Sequence, residues 1–188
     1  MARSLGCRVD ALGLEADAEL AHGRQYHFDL NDSQDQRQWR SDLGPYDLIV
    51  FAEVIEHLYT APERVLRFLH SLLAPGGALI LQTPNAAALR KRLKLLAGRN
   101  PYERIRPDRS NPGHFREYTV AELLGILGQT GFSVRKTWMR YYFDSRFARH
   151  ETGDEAPALI VGAAKNFVYR LIPGRLQEGI TITSTKVP

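Results

Sequence analysis

The chain has 188 residues, 44% of them hydrophobic and 24% charged, and 25 Lys and Arg stand against 21 Asp and Glu for a formal net charge of +4. That length suits one domain with one sizeable core, and so mild an excess of charge does not by itself argue for a nucleic-acid partner. A single cysteine, Cys7, excludes an internal disulfide, no apolar run approaches the roughly 18 residues a membrane span needs, and residues 1–6 lack the apolar stretch of a secretory signal, so the expected location is the cytoplasm.

Residues 8–14 and 25–30 are predicted as short strands. The run Tyr46-Asp47-Leu48-Ile49-Val50-Phe51-Ala52 is nearly continuous in apolar residues, the pattern of a strand buried on both faces. Thr60-Ala61-Pro62-Glu63 has the form of a capping box, with Thr60 at N-cap, Glu63 at N3 and Pro62 in the first turn. Val65, Leu66, Leu69, Leu72 and Leu73 follow at helical spacing and make one apolar stripe. Pro75-Gly76-Gly77 ends that helix, and residues 78–82 begin the next strand. Thr119-Val120-Ala121-Glu122 repeats the capping pattern before Leu123, Leu124 and Leu127. Gly131 stops this helix, residues 132–143 read as strand, and Ile180-Thr181-Ile182-Thr183-Ser184-Thr185 is a last β-branched strand. Strands separated by helices predict a single α/β domain over residues 1–188, with a mostly parallel sheet and helices on both faces.

One compositional shift interrupts the series. Arg90, Lys91, Arg92, Lys94, Arg99, Arg104, Arg106 and Arg109 face only Glu103 and Asp108. Residues 86–117 therefore read as an inserted basic helix and loop. Two readings stand beside each other. One is a solvated amphipathic helix with Leu89, Leu93 and Leu96 packed inward and the charges outside. The other is a substrate cap that attracts a phosphate, a sugar nucleotide or a lipid headgroup.

In open α/β sheets ligands bind beyond the carboxyl ends of the strands, and three predicted strand ends carry acids. Glu15 follows the first; a carboxylate there can accept both hydroxyls of a ribose. Asp29 follows the second and can accept from an adenine amino group, with Leu30 packing on the ring. Glu53 follows the third, in Ala52-Glu53-Val54-Ile55-Glu56-His57. Glu53, Glu56 and His57 are spaced i, i+3, i+4 and would share a face of a helix beginning by Glu53. Each acid also has a plainer reading as a solvated strand end.

These blocks resemble, in order, those of class I S-adenosylmethionine-dependent methyltransferases of the ubiquinone-biosynthesis O-methyltransferase type. Residues 45–58 resemble their fourth-strand block, and Leu73-Ala74-Pro75-Gly76-Gly77-Ala78-Leu79 resembles their turn into strand five. His114-Phe115-Arg116-Glu117-Tyr118-Thr119, Glu122-Leu123-Leu124 and Gly131-Phe132 are similar to their later helix and turn. The resemblance spans about residues 5–140. It implies a Rossmann-like sheet with an antiparallel last strand and S-adenosyl-L-methionine as cofactor. Glu15 would then hold the ribose, Asp29 and Leu30 the adenine, and Ala52 and Glu53 the methionine side. It also implies a base, His57 or His114. Glu53, Glu56, His57 and His114 resemble the ligands of relatives that hold Mg²⁺ or Mn²⁺, and a plainer alternative is that they line the cofactor pocket. The expected reaction is methyl transfer to an oxygen of a small-molecule, glycan or lipid-linked acceptor. The rivals are a non-catalytic or partner-dependent fragment and an RNA 2′-O-methyltransferase-like protein. One departure is plain: nothing like the family's G-x-G-x-G loop occurs, and residues 2–6 resemble only the tail of its first helix. The expectation is a chain truncated at its N-terminus, lacking the first strand and glycine loop.

Overall fold

A computed structural model of the chain describes residues 6–108, 111–140 and 172–187. Strands β1 (Ala11–Gly13), β2 (Ala18–Leu20) and β3 (Gly23–His27) form a small sheet in the order β1-β3-β2. β1 runs parallel to β3 and β2 antiparallel to it. The chain continues through β4 (Tyr46–Ala52), α1 (Pro62–Leu72), β5 (Leu73–Pro84), α2 (Leu89–Leu96), α3 (Val120–Gln129), β6 (Phe132–Arg140) and β7 (Gly179–Lys186). The second sheet has the order β4-β5-β7-β6. β4 and β5 are parallel, while the last strand, β7, is antiparallel to both its neighbours. The expected α/β fold is present, and both sheets are mixed.

The core lies on one face of the second sheet. Phe51, Leu79, Leu81, Ile180 and Ile182 point there, register-matched across three strands, because alternate residues of a strand share a face. They belong to one buried cluster with Val65, Leu66, Phe68, Leu69 and Leu72 of α1 and Leu123 and Leu127 of α3. Phe68, wholly buried, also meets Phe28 and Trp39 at 4.8 and 5.5 Å between ring centroids, which ties the small sheet to α1. β4 is not buried on both faces: Leu48 and Val50 are 51% and 64% exposed. Its alternate residues face away from α1, and no described helix covers that side.

β1 and β4 share no ladder. They are joined by side chains instead: the Tyr46 hydroxyl donates to Asp10 Oδ2 at 3.0 Å. Burial, then the Asp10 charge, pushes the Tyr46 phenol up to about 12, so it remains a donor at neutral pH. A second tie runs through Asn31, whose Oδ1 accepts from the backbone N–H groups of Tyr59 and Thr60 at 2.9 and 3.3 Å.

Several boundaries differ from the sequence expectation. The strand predicted over 8–14 is only Ala11–Gly13, and the one predicted over 25–30 ends at His27. There Asp29 accepts from the Asn31 backbone and caps a 3-10 turn over Leu30–Gln34. Thr60 is not the cap of α1. The N-cap is Ala61, with Pro62 at the helix start, because a residue before proline is held in extended backbone. Thr60 is instead buried, its hydroxyl without a partner among the described residues. The second capping box is as expected: Thr119 Oγ1 accepts from the Glu122 backbone at 3.3 Å, and Glu122 Oε2 accepts from the Thr119 N–H at 2.8 Å. β5 already begins at Leu73, and Gly76 makes its excursion at φ 74°. Residues 141–143 of the last predicted part of β6 lie outside the described residues, as do residues 2–5 and Arg109.

Gly131 ends α3 at φ 86°, and a Cβ there would stand 2.9 Å from His70 Nε2. Left-handed backbone costs a non-glycine residue about 1–2 kcal/mol, and the His70 contact adds to it. Gly131→Ala should therefore lower the unfolding free energy by at least about 1 kcal/mol in urea titration.

Candidate active site

The site is built where β4 ends. Ala52, half-buried, is the last residue of the strand, and Glu53 then turns the chain at φ 54°. A left-handed non-glycine residue is uncommon and marks stored strain. Glu53 is held there by Gln82 at the matching end of β5: its N–H donates to the Gln82 carbonyl at 2.9 Å, and its Oε1 accepts from Gln82 Nε2 at 3.3 Å. A single 3-10 turn follows over Ile55–His57. Ile55 is an anchor at 1% exposure, and the tight turn carries Glu56 inside with it, fully buried.

Glu56 joins three parts of the chain. Its carbonyl accepts from the N–H groups of Phe115 and Arg116 at 2.8 and 3.3 Å. Its Oε2 accepts from Thr83 Oγ1 on β5 at 2.8 Å. Its Oε1 is buried with no partner among the described residues. Burial pushes this carboxyl above the ordinary range, against the opposing pull of hydrogen bonds that include the one from Thr83.

Two imidazoles stand beside it. His57 Nδ1 lies 3.0 Å from the Gly113 carbonyl, and His114 Nδ1 lies 3.2 Å from Glu117 Oε1. A carbonyl and a carboxylate only accept, so in each ring Nδ1 carries a proton, and in the neutral ring Nε2 is the nitrogen with the lone pair. The rings meet edge to face, 4.7 Å between centroids. Burial, then the neighbouring His57, pulls the His114 pKa below its usual value. One ligand atom from each of Glu56, His57 and His114 lies within 4.8 Å of the others.

Glu117 is itself held by Lys91 of α2, whose ammonium pairs with Glu117 Oε2 and donates to the Asn85 carbonyl at 3.1 Å. Burial pulls Lys91 below the ordinary lysine range. Sequence reasoning missed Thr83, Lys91 and Glu117. Glu117 was findable, three residues after His114. Lys91 was not, because nothing in a run of Arg and Lys distinguishes the one that faces inward.

The structure brings together Glu56, His57 and His114. It does not put Glu53 with them: the expected shared helix face fails because Glu53 sits on a left-handed residue before the turn, pinned to Gln82. Glu15 is exposed beyond β1, and Leu30 is half-buried against the core. Asp29 Oδ1 accepts from both the backbone and the side-chain nitrogen of Asn31 at 2.9 Å, leaving Oδ2 for another donor.

Residues 1–137 match the family of methyltransferase domains. This chain belongs to that family, as a class I S-adenosylmethionine-dependent methyltransferase domain. A Mycolicibacterium smegmatis protein named a probable S-adenosylmethionine-dependent methyltransferase is 34% identical over 91 residues, which are 48% of this chain and 30% of that protein. The matched segment thus spans under a third of that relative's length. Among solved structures, a Mesorhizobium loti S-adenosylmethionine-dependent methyltransferase aligns with a TM-score of 0.53 at 14% identity, over 90% of this chain and 72% of that one. A methyltransferase candidate from Bacillus halodurans aligns with a TM-score of 0.56 at 13% identity, over 96% and 83%. At these identities the structures establish the fold. No helix among the described residues is long and apolar enough to cross a membrane.

The burial of Glu56 carries a testable cost. Its folded-state pKa is raised, so between the unfolded and folded values the native state binds more protons, and stability falls as pH rises through that window. Glu56→Gln keeps the shape and removes the charge. It should raise Tm at pH 7 in the presence of a chelator, and the gain should vanish as pH approaches 4.

Proposed function

We propose that the domain transfers a methyl group from S-adenosyl-L-methionine to an oxygen of a small-molecule, glycan or lipid-linked acceptor. The observation that carries the reading is the pair of imidazoles beside the end of β4, each with Nδ1 engaged and Nε2 holding a lone pair. The acceptor oxygen would attack the sulfonium methyl in line. The C–O bond forms as the S–CH₃ bond breaks, S-adenosylhomocysteine leaves, and the acceptor proton passes to Nε2 of His57 or His114. The lowered pKa of His114 favours the neutral ring that this role needs. The Glu53 carboxylate at the strand end suits a neighbouring sulfonium charge. Glu15 would hold the ribose hydroxyls, Asp29 Oδ2 the adenine amino group and Leu30 the ring, with Ala52 and Glu53 along the methionine side.

The buried, unpartnered Glu56 Oε1 beside His57 and His114 fits a divalent cation, a hard ion that takes carboxylate oxygen and imidazole. As the alternative to the base role of the histidines, Mg²⁺ or Mn²⁺ held by these three residues would lower the pKa of a bound acceptor hydroxyl. Glu53 stands aside from that set. The RNA 2′-O-methyltransferase-like reading rests on the same residues and the basic segment, and salt-dependent RNA binding would favour it.

In this reading Glu15, Asp29 and Leu30 would carry the ribose and adenine end of cofactor recognition. Titration with S-adenosylhomocysteine, followed by ligand-observed NMR, should show Glu15→Ala and Asp29→Ala each weakening binding about tenfold, the loss of one charge-assisted hydrogen bond. Unchanged affinity in both folded variants would remove the assignment.

Mn²⁺ titration followed by electron paramagnetic resonance tests the cation. Binding that disappears in Glu56→Gln and His114→Ala supports it. No binding to the parent chain leaves the histidines as plain bases.

A further inference from the structure

Helix α2 is turned the opposite way from an ordinary amphipathic helix. Its one buried residue is Lys91. At 3.6 residues per turn, Leu89, Leu93 and Leu96 lie on the opposite side from Lys91, in one stripe spaced i, i+4, i+7. Leu93 and Leu96 are 56% and 83% exposed, and Leu89 is half-buried. The sequence expectation of leucines packed inward is therefore reversed. The reason is on the inner side: Lys91 finds Glu117 and the Asn85 carbonyl there, and a buried ion pair with hydrogen bonds to both partners fixes the helix's rotation.

The outward stripe is flanked by charge of one sign. Arg90 and Arg92 sit about a quarter turn to either side of it, Lys94 lies round toward the Lys91 side, and Arg99 follows the end of the helix. Arg90 reaches Glu178 at 3.3 Å. Arg92, Lys94, Arg99 and Arg104 have no carboxylate partner among the described residues. The loop that follows adds Ile105 at 61% exposure, and Arg106 there is paired with Glu103. A leucine stripe edged by Arg and Lys, whose apolar stems can lie along it while their heads reach phosphates, is what an anionic bilayer surface binds. A neutral apolar partner would leave those cations desolvated and unpaired.

We propose that α2 and the loop after it dock this domain on an anionic membrane surface, with Leu89, Leu93 and Leu96 entering the headgroup boundary and Arg92, Arg99 and Arg104 on lipid phosphates. The docking does not depend on the methyl-transfer reading. Its consequence does: the inner side of α2 carries Lys91, which holds Glu117 and through it His114, so docking brings the histidine pair close to the bilayer and favours a lipid-linked acceptor over a soluble one.

The test is co-sedimentation of the 188-residue chain with vesicles of phosphatidylcholine alone and of phosphatidylcholine with about one third phosphatidylglycerol. Binding is expected to the anionic vesicles only, weakening as salt rises. The double variant Leu93→Ser/Leu96→Ser should reduce partitioning about tenfold or more, and Arg92→Gln/Arg99→Gln/Arg104→Gln should remove the preference for anionic lipid. These side chains are exposed, so the variants should keep the parent's Tm, which separates lost docking from lost folding. Equal partitioning to neutral vesicles, or partitioning the leucine variant leaves intact, would overturn the proposal. So would a dimer in solution abolished by the leucine variant without any vesicle binding, which would assign the stripe to a second copy of the chain. Vesicle binding in a chain that fails to bind S-adenosylhomocysteine would leave the docking standing and remove only its link to methyl transfer.

Discussion

The burial of Glu56 is the interaction on which the site depends. A carboxylate taken out of water needs partners, and among the described residues Glu56 has Thr83 from β5 on one oxygen and none on the other. Its backbone carbonyl meanwhile receives the N–H groups of Phe115 and Arg116. The end of β4, the end of β5 and the segment after the basic loop are thereby gathered at one residue. His57 and His114 come together because they are neighbours of the two ends of that link. The strained backbone at Glu53 is part of the same arrangement, since the chain must reverse within one residue of β4 for the next turn to point Glu56 inward.

Around this centre the polar network extends outward in a graded way. His114 is oriented by Glu117, Glu117 is neutralised by Lys91, and Lys91 sets the rotation of α2. A helix whose rotation is decided by one buried ion pair is free to present leucines to its surroundings, which hydrophobic packing alone would never do. The small sheet is attached differently. No ladder joins β1 to β4, and the union rests on Tyr46 with Asp10, on Asn31 with the chain after β4, and on the Phe28, Phe68 and Trp39 rings. Among the described residues, the facing edges of β1 and β4 have no strand partner, and one face of β4 is exposed.

Much of this was legible in the sequence, and the rest was not for identifiable reasons. The span Tyr46–Ala52, the capping box at Thr119 and Glu122, and the stop at Gly131 were read correctly, because each rests on a local rule that neighbours along the chain decide. Thr60 misled because two local rules competed: threonine favours a cap, but Pro62 forces extended backbone on Ala61 and moves the helix start. The three-residue strand Ala18–Leu20 carries no period long enough to detect. Glu56, His57 and His114 were named from type and spacing. Their grouping without Glu53 was not, since a positive φ at a glutamate has no sequence signature.

The sequence by itself determined the order of strands and helices, the family to which those blocks belong, and which side chains were chemically able to serve as acid, base or ligand. These follow from periodicity, capping and residue chemistry, which are properties of short stretches. Tertiary structure alone decided which nitrogen of each histidine holds the proton, which oxygen of Glu56 lacks a partner, and which face of α2 looks outward. Apart from the link of His114 to Glu117, three residues on, those depend on groups 26 to 56 positions away along the chain, as with His57 and Gly113 or Lys91 and Glu117. A hydrogen bond or ion pair across such a distance is fixed by packing, and no local pattern encodes its partner.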